Sequence, residues 1–187
     1  MAAARTVLFD FDGTLIDSDA VLQAPFAALG LAEADFPPLG LPLPVACERA
    51  GITVADYLAH YDPGAARPFP GVEAMLAGLD RWGLCSNKDR ATAEVELARL
   101  GWKPAVAFFS DDFGGRTKFL APVLAALALL PGDALLVGDT AHDRACAHAA
   151  GVTFALAGWN PRAVAEPGDL VLATPAEVVT ALEAPGG

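Results

Sequence analysis

The feature that most constrains this chain is its alternation of short aliphatic runs with stretches of helical composition. The runs are Thr6 to Phe9, Gly83 to Cys85, Val106 to Phe109, Ala134 to Val137, Val152 to Leu156 and Leu170 to Leu172. Each has the length of a buried strand, and the intervening segments are long enough to carry a crossover helix. That pattern belongs to repeated βαβ units and a parallel sheet, not to a bundle or a sandwich. Helices are predicted over Val72 to Arg81, Asp89 to Leu100, Lys118 to Leu130, Ala141 to Ala150 and Ala176 to Leu182, with Gly101, Gly132 and Gly151 where helices should stop.

One stretch breaks the alternation. From Asp17 to Pro70 there is no convincing strand, and prolines stand at positions 25, 37, 38, 42, 44, 63, 68 and 70. Ser18 to Ala28, Val45 to Ala50 and Thr53 to Tyr61 read as short helices, while FPPLGLPLP is irregular because successive prolines forbid a helix there. The expected organisation is a Rossmann-like α/β core formed by residues 1–16 and 71–187, a three-layer sandwich about a central parallel sheet, with a small helical unit at 17–70 inserted after the first strand. A chain of 187 residues fits one domain with such an insertion.

Composition narrows the function classes. Hydrophobic residues at 54% against 19% charged exclude a disordered chain, and aromatics at only 8% make the core aliphatic. The net charge of −11 repels phosphate backbones and anionic lipid, so neither nucleic acid nor membrane is an expected partner. The apolar run in MAAARTVLFDFDGT is too short for a signal segment or a membrane span, which predicts a cytoplasmic protein. Cys47, Cys85 and Cys146 are odd in number and widely spaced, and they read as buried thiols.

The chemistry concentrates in VLFDFDGTLID. An apolar strand ends there in Asp10, Phe11, Asp12, Gly13 and Thr14, and the carboxyl ends of strands are where open α/β sheets bind ligands. Carboxylates two residues apart at a strand end point to one side, where one can attack while the other handles a proton. A bare Asp-Gly only makes a turn; the full string asks for more. Ser86 and Asn87 follow a second strand, offering a hydroxyl and turn N–H groups to an anion, though such a pair is more often a turn or helix cap. Lys118 opens the apolar run FLAPVLAALALL, and a cation at a helix start runs against the helix dipole, which suggests anionic neighbours. In LLVGDTAHD, Asp139 ends a third strand and Asp143 lies one helical turn on, a pattern open to helix capping or to a hard-cation site.

Taken in order, these segments resemble the motifs of the haloacid dehalogenase superfamily, in its branch of magnesium-dependent phosphatases. Its D-x-D-G-T stands here as Asp10 to Thr14, followed by Ser86, Lys118, and Gly138-Asp139 with Asp143. The resemblance covers the whole chain, and the insertion falls where this branch carries its helical cap. It implies that Asp10 is a nucleophile forming an aspartyl-phosphate and that Asp12 is the general acid and base. Ser86, Lys118 and the backbone of Asn87 would neutralise the transferring group. Mg²⁺ would be held by Asp10, the carbonyl of Asp12 and Asp139, with Asp143 supporting the metal or orienting Lys118. Asp12 separates the chain from the metal-independent dehalogenases, which lack that acid. Phe119 departs from the proline that often follows this lysine, leaving the register of that loop open.

The resemblance therefore implies a phosphomonoester hydrolase for a small phosphorylated metabolite, with phosphoglycolate-like or sugar phosphates as natural candidates. A phosphomutase, or a module that binds phosphate without turnover, stays open beside it. Oligomeric state is undetermined. Thr14 and Arg49 are candidate substrate contacts, Arg49 because the insertion has few other basic residues; a turn hydroxyl and an exposed Glu48-Arg49 pair are the plainer readings. His142 is expected to face solvent, with reach to the leaving group left open. His60 and His148 are expected to be structural, and Trp82, Trp102 and Trp159 to pack.

Overall fold

The computed structural model describes residues 6–114 and 116–183. In chain order, β1 (Thr6–Phe9) is followed by β2 (Ile16–Asp17), α1 (Asp19–Ala28), α2 (Leu43–Ala50), α3 (Val54–His60), β3 (Arg67–Pro68) and α4 (Val72–Ala77). Then come β4 (Trp82–Cys85), α5 (Arg90–Leu100), β5 (Val106–Phe108), α6 (Ala121–Leu127), β6 (Ala134–Gly138), α7 (Ala141–Ala150), β7 (Thr153–Ala157), β8 (Leu170–Leu172) and α8 (Glu177–Glu183).

Six strands form one sheet in the order β5-β4-β1-β6-β7-β8, and every pairing in it is parallel. The chain builds outward from β1 in one direction through β4 and β5, then returns to build β6, β7 and β8 on the other side. Such a reversal opens a crevice beyond the carboxyl ends of the strands flanking it. Register makes this concrete: Phe9 lies opposite both Leu84 and Val137, so the residues that follow β1, β4 and β6 emerge side by side.

Alternation along the strands sends side chains into two layers. Val7 and Phe9 pack with Leu84, with Val72, Met75 and Leu76 of α4, with Ala93 and Leu97 of α5, and with Val178 of α8. Leu8 points the other way, among Val123, Leu124 and Leu127 of α6, Cys146 and Ala147 of α7, and Phe154. Covering both faces is what allows β1 to be buried at all four positions. This is the Rossmann-like three-layer α/β fold that the strand pattern predicts.

Between β2 and β3 lie α1, α2 and α3, with their own apolar cluster of Phe26, Ala46, Cys47, Tyr57 and Tyr61. The sequence reading finds no strand here, yet Ile16 and Asp17 pair antiparallel with Pro68 and Arg67 to make a two-residue ribbon at the base of the insertion. Each strand is too short for a periodic signal, and Pro68 reads as a breaker; only the chain's return to its starting point forms the ladder.

A second difference concerns Lys118 and the helix expected from it. The helix runs only from Ala121 to Leu127, with Pro122 in its first turn, so Lys118 stands in the preceding loop. At the other end Ala128 adopts the left-handed conformation at φ 54°, and Gly132 lies beyond, in a 3₁₀ turn of Pro131–Asp133. The prolines set these bounds: Pro122 suits a first turn, and Pro131 holds Leu130 extended. Gly101 and Gly151, by contrast, end α5 and α7 in the left-handed conformation as expected.

Candidate active site

The crevice at the reversal gathers acids from two strand ends. Asp10 follows β1 and is 6% exposed, with its Oδ1 2.7 Å from Lys118 Nζ. The same ammonium lies 2.5 Å from Asp143 Oδ1, so one lysine is clamped between two carboxylates. Asp10, Asp139 and Asp143 each offer a carboxylate oxygen, and these oxygens all lie within 4.8 Å of one another.

Two glycines let this cluster form. Gly13 has φ +73°, and a Cβ there would stand 2.3 Å from Asp139 Oδ2. At Gly138 a Cβ would stand 2.4 Å from the Cβ of Asp143. Both positions let carboxylates approach the backbone, and at Gly13 the left-handed turn adds a second demand.

Asp139 is held by neutral donors. Thr14 Oγ1 donates to its Oδ1 at 3.1 Å and Asn160 Nδ2 to its Oδ2 at 3.0 Å, while Asn160 also donates to the Gly13 carbonyl at 2.9 Å. No cation pairs with Asp139 among the described residues. Burial, and then the charges of Asp10 and Asp143, push its pKa to about 8. Burial, with Asp143 and Asp12 adding to it, likewise lifts Asp10 to about 6, although Lys118 pulls the other way. Burial works against the Asp143 carboxylate too, but Lys118 and Thr140 outweigh it and hold that pKa low. A cluster of hard oxygen donors that repel one another and include an uncompensated carboxylate suits a divalent cation such as Mg²⁺.

Asp143 acts as a helix cap and also pairs with Lys118. Its Oδ2 accepts from Thr140 N at 2.9 Å and Thr140 Oγ1 at 2.6 Å, completing a capping box on α7, while Oδ1 faces Lys118. Ser86 is 2% exposed, lines the cleft and accepts from Lys88 N at 3.3 Å, which leaves its hydroxyl proton for an acceptor in the cleft.

The other expected contacts divide. The Asn87 side chain is engaged on both sides: Nδ2 donates to the Gly40 carbonyl of the insertion at 2.7 Å, and Oδ1 accepts from Lys118 N at 2.7 Å. Only its backbone remains for the contact that the family resemblance implies. Thr14 is fully buried and gives its hydroxyl to Asp139, so it is not a substrate contact here. Arg49 is exposed on the last turn of α2 and is not brought to the cleft, because the buried side of that helix carries Ala46 and Cys47. His142, expected at the solvent face, is half-buried and lines the cleft. Trp159 packs as expected and donates from Nε1 to the Thr14 carbonyl at 2.8 Å.

The carboxylate of Asp12 stands outside the three-acid cluster and engages a residue that the sequence reading passed over. Lys88 Nζ lies 2.9 Å from Asp12 Oδ1 and 3.2 Å from Oδ2, donates to Tyr61 Oη at 2.9 Å, and pairs with Glu96 Oε2 at 3.2 Å. Tyr61 Oη in turn donates to Glu96 Oε1 at 2.6 Å. This buried network joins the insertion, α5 and the loops after β1 and β4. Burial opposes the ammonium of Lys88, yet Asp12 and Glu96 more than compensate and raise its pKa. Its signal was its position just past Ser86, beyond the carboxyl end of β4. Asn160 gave a similar signal, a polar residue just beyond the end of β7. Glu96, in mid-helix, gave none.

Fold and site together define a Rossmann-like α/β protein with a carboxylate centre at the switch point of its sheet. The model of the family described as haloacid dehalogenase-like hydrolase matches residues 45–157. The chain is 33% identical over 190 residues to a phosphoglycolate phosphatase of Xylella fastidiosa, covering 86% of this chain and 83% of that one. It is 31% identical over 192 residues to a phosphoglycolate phosphatase of Xanthomonas campestris, covering 87% and 86%. In structure it is similar to a Clostridium acetobutylicum protein described as a predicted phosphatase, with TM-score 0.79 and 17% identity, over 96% and 98% of the two chains. The chain belongs to the haloacid dehalogenase-like hydrolase family, on its phosphatase branch.

Proposed function

We propose that this protein is a Mg²⁺-dependent phosphomonoester hydrolase that acts on a small phosphorylated metabolite through an aspartyl-phosphate. The observation that carries this reading is the convergence of Asp10, Lys118, Asp139 and Asp143 at the ends of adjoining parallel strands, with Ser86 and Asp12 in the same cleft.

Asp10 is the nucleophile. Its Oδ1 is paired with Lys118, which favours the ionised form against the effect of burial and leaves the other oxygen to attack phosphorus. As the Asp10–phosphorus bond forms, the ester oxygen departs and takes a proton from Asp12. Asp12 then accepts a proton from the water that attacks phosphorus, releasing inorganic phosphate and free Asp10. Ser86 and Lys118 donate to phosphoryl oxygens as charge develops there. Asp10 and Asp139, with the carbonyl of Asp12, are the groups that would hold Mg²⁺, and Asp143 supports them through Lys118. When bound, the ion draws charge from a phosphoryl oxygen and offsets the mutual repulsion of the carboxylates. The segment 17–70 serves as the cap, contributing Gly40 and Tyr61 to the contacts over the cleft.

The test is release of inorganic phosphate from p-nitrophenyl phosphate and from a panel of small phosphomonoesters, with Mg²⁺ and with chelator, beside Asp10→Asn. Metal-dependent release that falls at least about a thousandfold in the variant is expected, since a covalent step cannot proceed without its nucleophile. Undiminished turnover in the variant would overturn the assignment.

A further inference from the structure

The cleft of about 840 Å³, open mouth included, has two unlike walls. The wall made by the strand ends carries the acids and both lysines. The wall made by the insertion is mostly apolar, with Leu22 and Phe26 of α1, Leu39 and Leu41 of the irregular strap, and Leu43 and Ala46 of α2 lining the cleft; Asp19 at the start of α1 is its one acid and pairs with Arg162. The two tyrosines on this side turn their polar ends away from it. Tyr57 Oη donates to the Leu22 carbonyl at 2.8 Å, and Tyr61 Oη is taken up by Glu96 and Lys88.

Charge sharpens the contrast. Among the described residues lining the cleft, Lys88 and Lys118 are the lysines, His142 is the histidine, on the core side beside Gly40, and no arginine is present. Lys118 is clamped between Asp10 and Asp143, and Lys88 is held by Asp12, Glu96 and Tyr61. Asp19 and Asp89 add further acids to the lining. Arg162 pairs with Asp19 but is not itself among the lining residues. A carboxylate or second phosphate on the leaving group would thus be drawn out of water against the insertion wall, where no lysine or arginine stands among the lining residues to receive it, and an unpaired buried charge is costly. An alkyl or aryl group would gain from the same wall in proportion to its area.

Resting on the phosphatase reading above, we infer that the preferred substrates are monophosphate esters of uncharged, predominantly apolar alcohols, and that Leu22, Phe26, Leu39, Leu41 and Leu43 determine this specificity. A substrate such as phosphoglycolate, whose leaving group carries its own carboxylate, is a poor one. The relatives named for that substrate share about one position in three with this chain, an overall figure that leaves the residues of the insertion wall to decide the substrate.

The experiment measures kcat/KM for ethyl, propyl, butyl and phenyl phosphate, 2-hydroxyethyl phosphate, phosphoglycolate and p-nitrophenyl phosphate, with Mg²⁺, on wild type and Leu22→Lys. kcat/KM is expected to rise about three- to fourfold per methylene from ethyl to butyl phosphate, with phosphoglycolate at least about tenfold below propyl phosphate. Leu22→Lys should shift the phosphoglycolate-to-butyl phosphate ratio upward by about tenfold or more. Phosphoglycolate preferred by wild type over 2-hydroxyethyl phosphate, or an alkyl series without slope, overturns the inference while leaving the phosphatase intact. Absence of Asp10-dependent release from every ester, p-nitrophenyl phosphate included, overturns the phosphatase reading and this inference with it.

Discussion

Single atoms decide much of this site. Gly13 is required twice over, by its positive φ and by the approach of Asp139 to 2.3 Å of where a Cβ would stand. Gly13→Ala is expected to lower the melting temperature by at least about 2–4 °C, the equivalent of ~1 kcal/mol in a chain of this size, and to reduce kcat by about a hundredfold or more through displacement of Asp139. Thermal melts and p-nitrophenyl phosphate turnover check both. Lys88 is the other residue on which much depends. Lys88→Met leaves Asp12 and Glu96 facing each other across a buried space without their cation, and loss of one partner of such a cluster costs about 3–5 kcal/mol. Urea unfolding should show that loss, and Lys88→Met/Glu96→Gln should recover part of it. A Lys88→Met variant as stable as wild type would mean that water replaces the ammonium.

At the scale of elements, the helix that follows β6 does two jobs with one acid. Asp143 closes the capping box of α7 through Oδ2 and pairs with Lys118 through Oδ1. Thr140→Ala removes one acceptor for the Asp143 N–H and one donor to Oδ2, and is expected to destabilise the protein by about 1 kcal/mol, read by denaturant midpoint at unchanged m-value. The segment between β5 and β6 follows a different logic. The apolar run from Phe119 to Leu130 has helical composition throughout, but Pro122 and Pro131 confine the helix to Ala121–Leu127 and leave Lys118 in a loop. What fixes Lys118 is then the Asn87 side chain, thirty-one residues earlier, accepting from its backbone N–H. The same Asn87 holds the strap of the insertion at Gly40, so the loop after β4 tethers both a core loop and the cap.

At the scale of the whole molecule, the acids gathered at the switch point tie stability to pH and to metal. Asp139 has a folded-state pKa of about 8 and Asp10 of about 6, both above the 3.8 of an ordinary aspartate. As pH rises from about 4 to 8, the unfolded chain gives up these protons first, the native state holds more of them, and stability falls. The metal-free protein is therefore expected to lose melting temperature between about pH 5 and pH 8, at roughly 2–4 °C per kcal/mol, and Mg²⁺ to restore more at the higher pH because it binds the ionised carboxylates. Scanning fluorimetry at the two pH values, with Mg²⁺ and with chelator, tests this; a metal-free melting temperature that rises over that interval would refute it. The parallel sheet and its strands were legible in the sequence because a strand buried on both faces must be a continuous aliphatic run, and acids placed just after such runs can only emerge at its carboxyl edge. Asp10, Asp12, Ser86 and Asp139 became candidates by the same local logic, Asp143 by lying one helical turn past Asp139, Lys118 by its place before an apolar run, and the ordered set by its resemblance to a known family. Tertiary structure alone decided the rest. It brought Lys88, Tyr61 and Glu96 from three separate segments into one buried network, turned the Thr14 hydroxyl inward to Asp139, left Arg49 outside, and lined the cap with leucines. Those outcomes depend on which distant surfaces meet, and a one-dimensional pattern of apolar and charged residues carries no record of that.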